Sequence, residues 1–145
     1  MTATLDAGPR GRHRWQRVKA PTLLAGGVLA ASVLLHLRDP HEGGSYGFCP
    51  WLVLTGTSCP GCGGLRAVND LTRGDLAAAA SSNLLFVGSI PLLVALWLRW
   101  VRDRWLDVQR VSSSRRVMLW VAVFSLLALA FTVVRNTPWG SWLAP

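Results

Sequence analysis

The sequence predicts an all-α integral membrane protein: three transmembrane helices plus a short interfacial amphipathic helix that follows a cysteine-containing loop. Three observations carry this. Apolar residues make up 51% of the 145-residue chain. Its charges fall in blocks, a basic N-terminus and a basic stretch from Arg99 to Arg116. Long uncharged runs lie between and beyond those blocks, which is the layout of membrane spans flanked by topology signals.

Taken in order, residues 1–19 read as a basic, mostly disordered tail containing His13 and Trp15. Residues 20–37 form an uncharged run of eighteen, which at 1.5 Å per residue just spans the membrane's hydrocarbon core. A cleaved signal peptide with a small-residue site at Ala30-Ala31-Ser32 is the competing reading, disfavoured because the apolar run continues past that site. Gly26, Gly27, Ala30 and Ala31 give this span a small-residue face. Residues 38–82 form a loop carrying the cysteines and the interfacial helix. The second span is 83–101, with a kink expected at Pro91. Asp75 after Gly74 is an N-cap signal, so the helix is expected to begin with a turn ahead of that span. A basic loop, 102–116, leads to the third span, 117–134, and the chain closes on a Pro/Trp-rich tail, 135–145.

Orientation follows from the basic residues near the span ends. Arg10, Arg12, Arg14, Arg17 and Lys19 precede the first span, and Arg99, Arg102, Arg104, Arg110, Arg115 and Arg116 lie at the second loop. The first loop has Arg38, Arg66 and Arg73, and the tail has Arg135. The N-terminus and second loop are therefore expected in the cytoplasm, and the cysteine loop and C-terminus outside it, in a bacterial cell membrane. The net charge of +8 is accounted for by this topology, and no nucleic-acid-binding module is present.

Within the loop, Pro50–Leu54 reads as a helical turn with Pro at its first position or as an extended piece. Leu65, Val68 and Leu71 recur at near-helical spacing, with Arg66, Asn69, Asp70 and Arg73 opposite. That predicts a short helix lying on the membrane by its apolar face. Cys59 and Cys62 stand just before it, where backbone N–H groups favour a thiolate, and Arg66 one turn on adds positive charge.

The chain's three cysteines, Cys49, Cys59 and Cys62, lie within fourteen residues. Three readings compete. A disulfide among them staples the loop, as an oxidising compartment allows. Alternatively, Cys59-x-x-Cys62 exchanges disulfides or passes electrons, with Cys49 as the third, resolving thiol; the activity of such a protein is that of a thiol–disulfide oxidoreductase. Or Cys49, Cys59 and Cys62, completed by His41 or His36, hold a metal ion such as zinc. His36 and His41 also have ordinary roles as a packed and a solvated side chain. Arg66, Arg135 and Asn136 fall on the same face as the cysteines and form a candidate polar site, with surface ion pairs and snorkelling as the plainer account. No Ser/His/Asp set, phosphate-cradling loop or acid–base carboxylate pair is present. The function expected first is non-enzymatic: an accessory or interaction protein with a cysteine-stapled loop, embedded in the lipid bilayer and acting on another membrane or extracytoplasmic protein.

The stretch TGTSCPGCGGLRAVNDLTRGDLAAAASSN, with Cys49-Pro50 before it and Arg135-Asn136-x-Pro138 near the end, resembles the bacterial membrane family called domain of unknown function 2752. Cys59, Pro60, Cys62, Gly63 and Arg66 match its Cys-Pro-x-Cys-Gly-x-Thr-Arg signature; Gly74-Asp75 and Asn83 match weaker positions downstream. Leu65 stands where the family has Thr. The resemblance, over roughly residues 46 to 138, implies a small helical membrane protein and brings no established reaction with it.

Overall fold

A computed structural model of the chain describes residues 10–42, 46, 49–108 and 113–143, with side chains given from Trp15 onward except Ser141. The described residues form α1 (Arg10–Leu37), α2 (Pro50–Thr55), α3 (Gly64–Thr72), α4 (Leu76–Trp105), α5 (Ser114–Arg135) and a closing 3-10 turn, Pro138–Leu143. No strand occurs among them. In α1, α4 and α5, stretches of 23, 30 and 22 residues are long and apolar enough to cross a membrane. The shortest reaches about 33 Å at 1.5 Å per residue, against a hydrocarbon core of about 30 Å. Their large apolar side chains, among them Leu23, Val28, Leu93, Leu96, Val121 and Leu126, lie on the outside. Lipid tolerates such a surface, whereas water does not.

The helix of the first span starts at Arg10, so residues 10–19, expected as disordered tail, are helical. Residues 1–9 and Arg110 of the basic loop lie outside the described residues. Contacts with α4 brace this extension. Trp97 Nε1 donates to the Pro21 carbonyl (3.1 Å), Trp15 meets Trp105 edge-on (5.9 Å between ring centroids) and Arg17 pairs with Asp107 (2.9 Å). The basic ends of α1 and α4 are thus neighbours, at the far end of the molecule from the cysteines. Gly26 and Gly27 face open space rather than α4.

α4 is capped twice. The Asp75 carboxylate accepts from the Ala78 backbone N–H (2.8 Å), as its position after Gly74 predicts. At Asn83 the backbone turns extended (φ −161°, ψ 90°), and the side-chain oxygen accepts from Phe86 N (2.9 Å), a second N-cap inside the helix. A non-helical break falls at Asn83, and α4 runs on through Pro91. The break at Asn83 goes with a side chain engaged outside its own helix, on the carbonyls of Pro60 and Cys62.

α3 packs on the rest of the chain by its polar side, which leaves its apolar residue Leu65 on the outside. Ala67, Asn69 and Asp70 are buried, while Leu65 is 48% exposed. The reason is what α3 docks against, namely helix ends rather than helix sides. Asn69 Nδ2 donates to the Leu35 carbonyl in the last turn of α1 (2.6 Å), one of the groups a helix terminus leaves without an internal partner. Ser82 Oγ donates to Asp70 Oδ2 (2.9 Å), and His36 Nδ1 lies 2.9 Å from Thr72 Oγ1. Ala67 and Ala79 are fully buried, and their small side chains let α3 and α4 approach closely. The buried polar side chains gather where the ends of α1, α4 and α5 meet, leaving the spans apolar and exposed. α5 packs on the 3-10 turn, which packs on α4.

Candidate functional site

The segment Ser58–Cys62 sits over that polar cluster, and three side chains from the spans hold its carbonyls. Asn83 Nδ2 donates to Pro60 O (2.9 Å) and Cys62 O (3.1 Å). Arg135 Nη1 donates to Cys59 O (2.8 Å) and Cys62 O (3.1 Å). Asn136 grips Ser58 from both sides, its oxygen accepting from Ser58 N (2.8 Å) and its Nδ2 donating to Ser58 O (2.9 Å). The Gly61 carbonyl accepts from Gly64 N (3.0 Å), and Gly63 enters α3 with φ +79°, a left-handed value that glycine takes without penalty. Every carbonyl of the segment has a donor, which fixes the loop from below.

The sulfurs converge above it. Cys59 Sγ lies 2.9 Å from Cys62 Sγ and 3.6 Å from Cys49 Sγ, and all three lie within 4.8 Å of one another. All three are free cysteines, so the structure carries no stapling disulfide among them. Cys62 is buried and the other two are half-buried. Cys49 enters from the opposite side of the loop as the N-cap of α2, with Pro50 at that helix's first position.

Their electrostatics differ. The Leu52 backbone N–H at the start of α2, followed by the Cys62 sulfur, lowers the Cys49 thiol from its ordinary value. Burial pushes Cys62 up to about 12, with the sulfurs of Cys59 and Cys49 adding to the rise. The thiolate-favouring helix start is thus that of α2, under Cys49. Burial outweighs the α3 N-terminus that was expected to act on Cys62.

The other candidate residues divide. Arg135 and Asn136 join the cysteine loop, and Arg135 is 2% exposed, so it does not snorkel. Arg66 turns away, its Nε on the Pro40 carbonyl (3.4 Å). His41 stands outside the sulfur group, with Nδ1 on Asp39 (2.8 Å) and Nε2 3.4 Å from Asp70, while Arg73 pairs with Asp39 (2.9 Å). His36 is on Thr72. Among the described residues, the cysteines alone form a group of three or more potential metal ligands. Asn83 and Asn69 escaped site prediction. The available signal was an asparagine at the start of an apolar span and another on a short helix, each a buried polar group needing partners.

Comparison with known proteins bears on the same segment. Residues 49–97 match the family model described as "Protein of unknown function (DUF2752)", which supports the resemblance read from the signature. The matched stretch runs from Cys49 through α2, the Cys59–Cys62 loop and α3 into α4. No curated protein and no solved structure matches the chain.

Proposed function

We propose, with the DUF2752 segment as premise, that this chain is a small bacterial membrane protein whose cysteine end lies on the extracytoplasmic face and holds a soft divalent ion, zinc foremost. The ligands are the thiolates of Cys49, Cys59 and Cys62. The observation that carries this is the convergence of all three sulfurs, because a two-cysteine staple gives the third no reason to be there. Thiolates bound at about 2.3 Å to a tetrahedral ion stand about 3.8 Å apart; the separations of 2.9 and 3.6 Å fall short of that by less than about 1 Å, with all three sulfurs within 4.8 Å, so small side-chain movements open the site to an ion. Three protein ligands leave a fourth position open. With His41 engaged by Asp39 and Asp70, the fourth ligand is exogenous: water, or a group on a partner protein.

The gathering of basic residues at the opposite ends of α1 and α4 supports this orientation through the positive-inside rule. The role that fits is an accessory one, presenting a bound ion to another membrane or extracytoplasmic protein. A second reading, thiol–disulfide exchange, is favoured by the lowered pKa of Cys49, which supplies an attacking thiolate beside the Cys59–Cys62 pair. There the Cys49 thiolate attacks Cys59 Sγ of a Cys59–Cys62 disulfide; the new Cys49–Cys59 bond forms as the old one breaks, and Cys62 leaves and takes up a proton. An external dithiol or disulfide protein then supplies or accepts the electron pair.

One experiment separates them. Purify the full chain in mild detergent, measure zinc per chain and count alkylatable thiols before and after chelation. About one zinc per chain, with thiols protected until chelation, is the expected result. Thiols revealed only by reductant, with no zinc, establish the exchange reading. Three free thiols that take up no added zinc end the metal reading.

A further inference from the structure

Arg135 is a buried cation with an unusual set of partners. Its Nη atoms donate only to backbone carbonyls, those of Cys59, Cys62 and Leu143 (2.8, 3.1 and 2.8 Å). Its buried Nε has no partner. The Phe131 ring lies under the guanidinium (4.9 Å), a cation–π contact that offsets part of the burial cost. No carboxylate pairs with it among the described residues. The acids of α3 and its flanks are committed elsewhere: Asp70 to Ser82 and His41, Asp39 to His41 and Arg73, Asp75 to the α4 cap. A charge this buried is unfavourable unless an opposite charge compensates it. Among the described residues, the groups beside it that can become negative are the cysteine sulfurs, and the arginine holds the backbone carbonyls of two of those cysteines, Cys59 and Cys62.

We infer that Arg135 is the built-in counter-cation of the cysteine centre, and that it tunes the centre to bind a dication. This rests on the metal reading proposed above. Three thiolates and a dication carry one net negative charge, and Arg135 brings the sum to zero. Without an ion, three thiolates crowded within 4.8 Å would repel one another, so the guanidinium lacks a full counter-charge. Binding the ion relieves that burden, so Arg135 adds to metal affinity while touching no metal. It acts as a positioning residue through charge, and its signature is an effect on affinity that follows charge rather than hydrogen-bond count.

The test uses cobalt(II) as probe on the full chain in detergent, read by thiolate-to-metal absorption and by competition with zinc. Three variants are compared. R135K keeps the charge but loses the forked donor, R135M removes the charge, and F131E places a carboxylate one helical turn from Arg135, neutralising it while leaving its bonds to the loop. Expected are R135K within about threefold of the parent, and R135M and F131E each at least about tenfold weaker. Because R135M also strips the loop of its donors, F131E carries the decision if R135M fails to fold. F131E binding cobalt like the parent, or R135K as weak as R135M, overturns the role of Arg135 and leaves the metal site standing. A parent chain that takes up no cobalt overturns both the site and this inference.

Discussion

At the scale of residues, the three cysteines are chemically unequal although the sequence presents them alike. The thiolate is the form that reacts with alkylating agents. A lowered pKa puts more Cys49 into that form at neutral pH, whereas Cys62, pushed up to about 12, stays protonated until far more alkaline conditions. With metal stripped, a maleimide at pH 7 is expected to modify Cys49 well before Cys62, an order that peptide mass spectrometry reads directly; equal rates would show that burial and the α2 terminus do not set the reactivity. The same shift gives zinc binding a pH sign. Coordination displaces the Cys62 proton, so affinity rises with pH, by about tenfold per unit for each proton released. Competition titrations between pH 6 and 8 measure that slope, and a flat profile argues that Cys62 is not a ligand. The sequence marked all three sulfurs through their spacing, because cysteine chemistry is local. It could not rank them, because burial and the entry of Cys49 from α2 are tertiary facts. His41 was paired with the cysteines by proximity in the chain, yet two carboxylates, Asp39 and Asp70, were the stronger claim on it.

At the scale of elements, the helices are held by their ends. Asp75 performs one task, capping α4, and D75A should cost about 1 kcal/mol. Asn83 performs two, capping the spanning part of α4 and donating to two loop carbonyls. N83A therefore loses a cap and leaves buried carbonyls short of donors, about 2–4 kcal/mol in all. Thermal unfolding in detergent should place N83A clearly below D75A; the reverse order would mean that the loop does not depend on α4. Two glycines make a second contrast. A Cβ on Gly140 would run into the Val134 carbonyl, whereas one on Gly26 meets open space. G140A is expected to loosen the 3-10 turn from α5 and lower the melting temperature. G26A is expected to leave it unchanged or raise it, since alanine is the better helix former. The three long apolar helices, the Asp75 cap and the existence of α3 were legible because they follow from runs and local signals. The protein-facing side of α3 was not, because amphipathic patterning marks the polar side without saying what it meets. Here the receiving surface is a set of helix termini whose unpartnered carbonyls select Asn69 over Leu65.

At the scale of the whole molecule, the two ends differ in kind, and that difference is the support for the proposed direction in the membrane. One end gathers Cys62, Asn69, Asp70, Asn83 and Arg135 in a buried polar cluster. The other brings together the basic flanks of α1 and α4, with Arg17 on Asp107 and Trp15 against Trp105. Polar groups buried near a bilayer mark a site, and exposed basic flanks mark the cytoplasmic side. The span count follows: with α1, α4 and α5 each crossing once, the Leu37 end of α1, the Leu76 end of α4 and the Arg135 end of α5 all fall on the cysteine side. Labelling of intact cells tests this without assuming what the site binds. Single cysteines are introduced at Ser113, before α5, and at Trp139, in the 3-10 turn, in a chain whose native cysteines are serine. An impermeant maleimide should reach position 139 in intact cells and position 113 only after permeabilisation. Trp139 is the right reporter because it is 91% exposed, so its accessibility reflects the side of the membrane rather than burial. The opposite pattern would turn the molecule over and place the thiol centre in a reducing compartment. That removes the disulfide-exchange reading as a resting state and leaves metal binding as the chemistry the three sulfurs can sustain there.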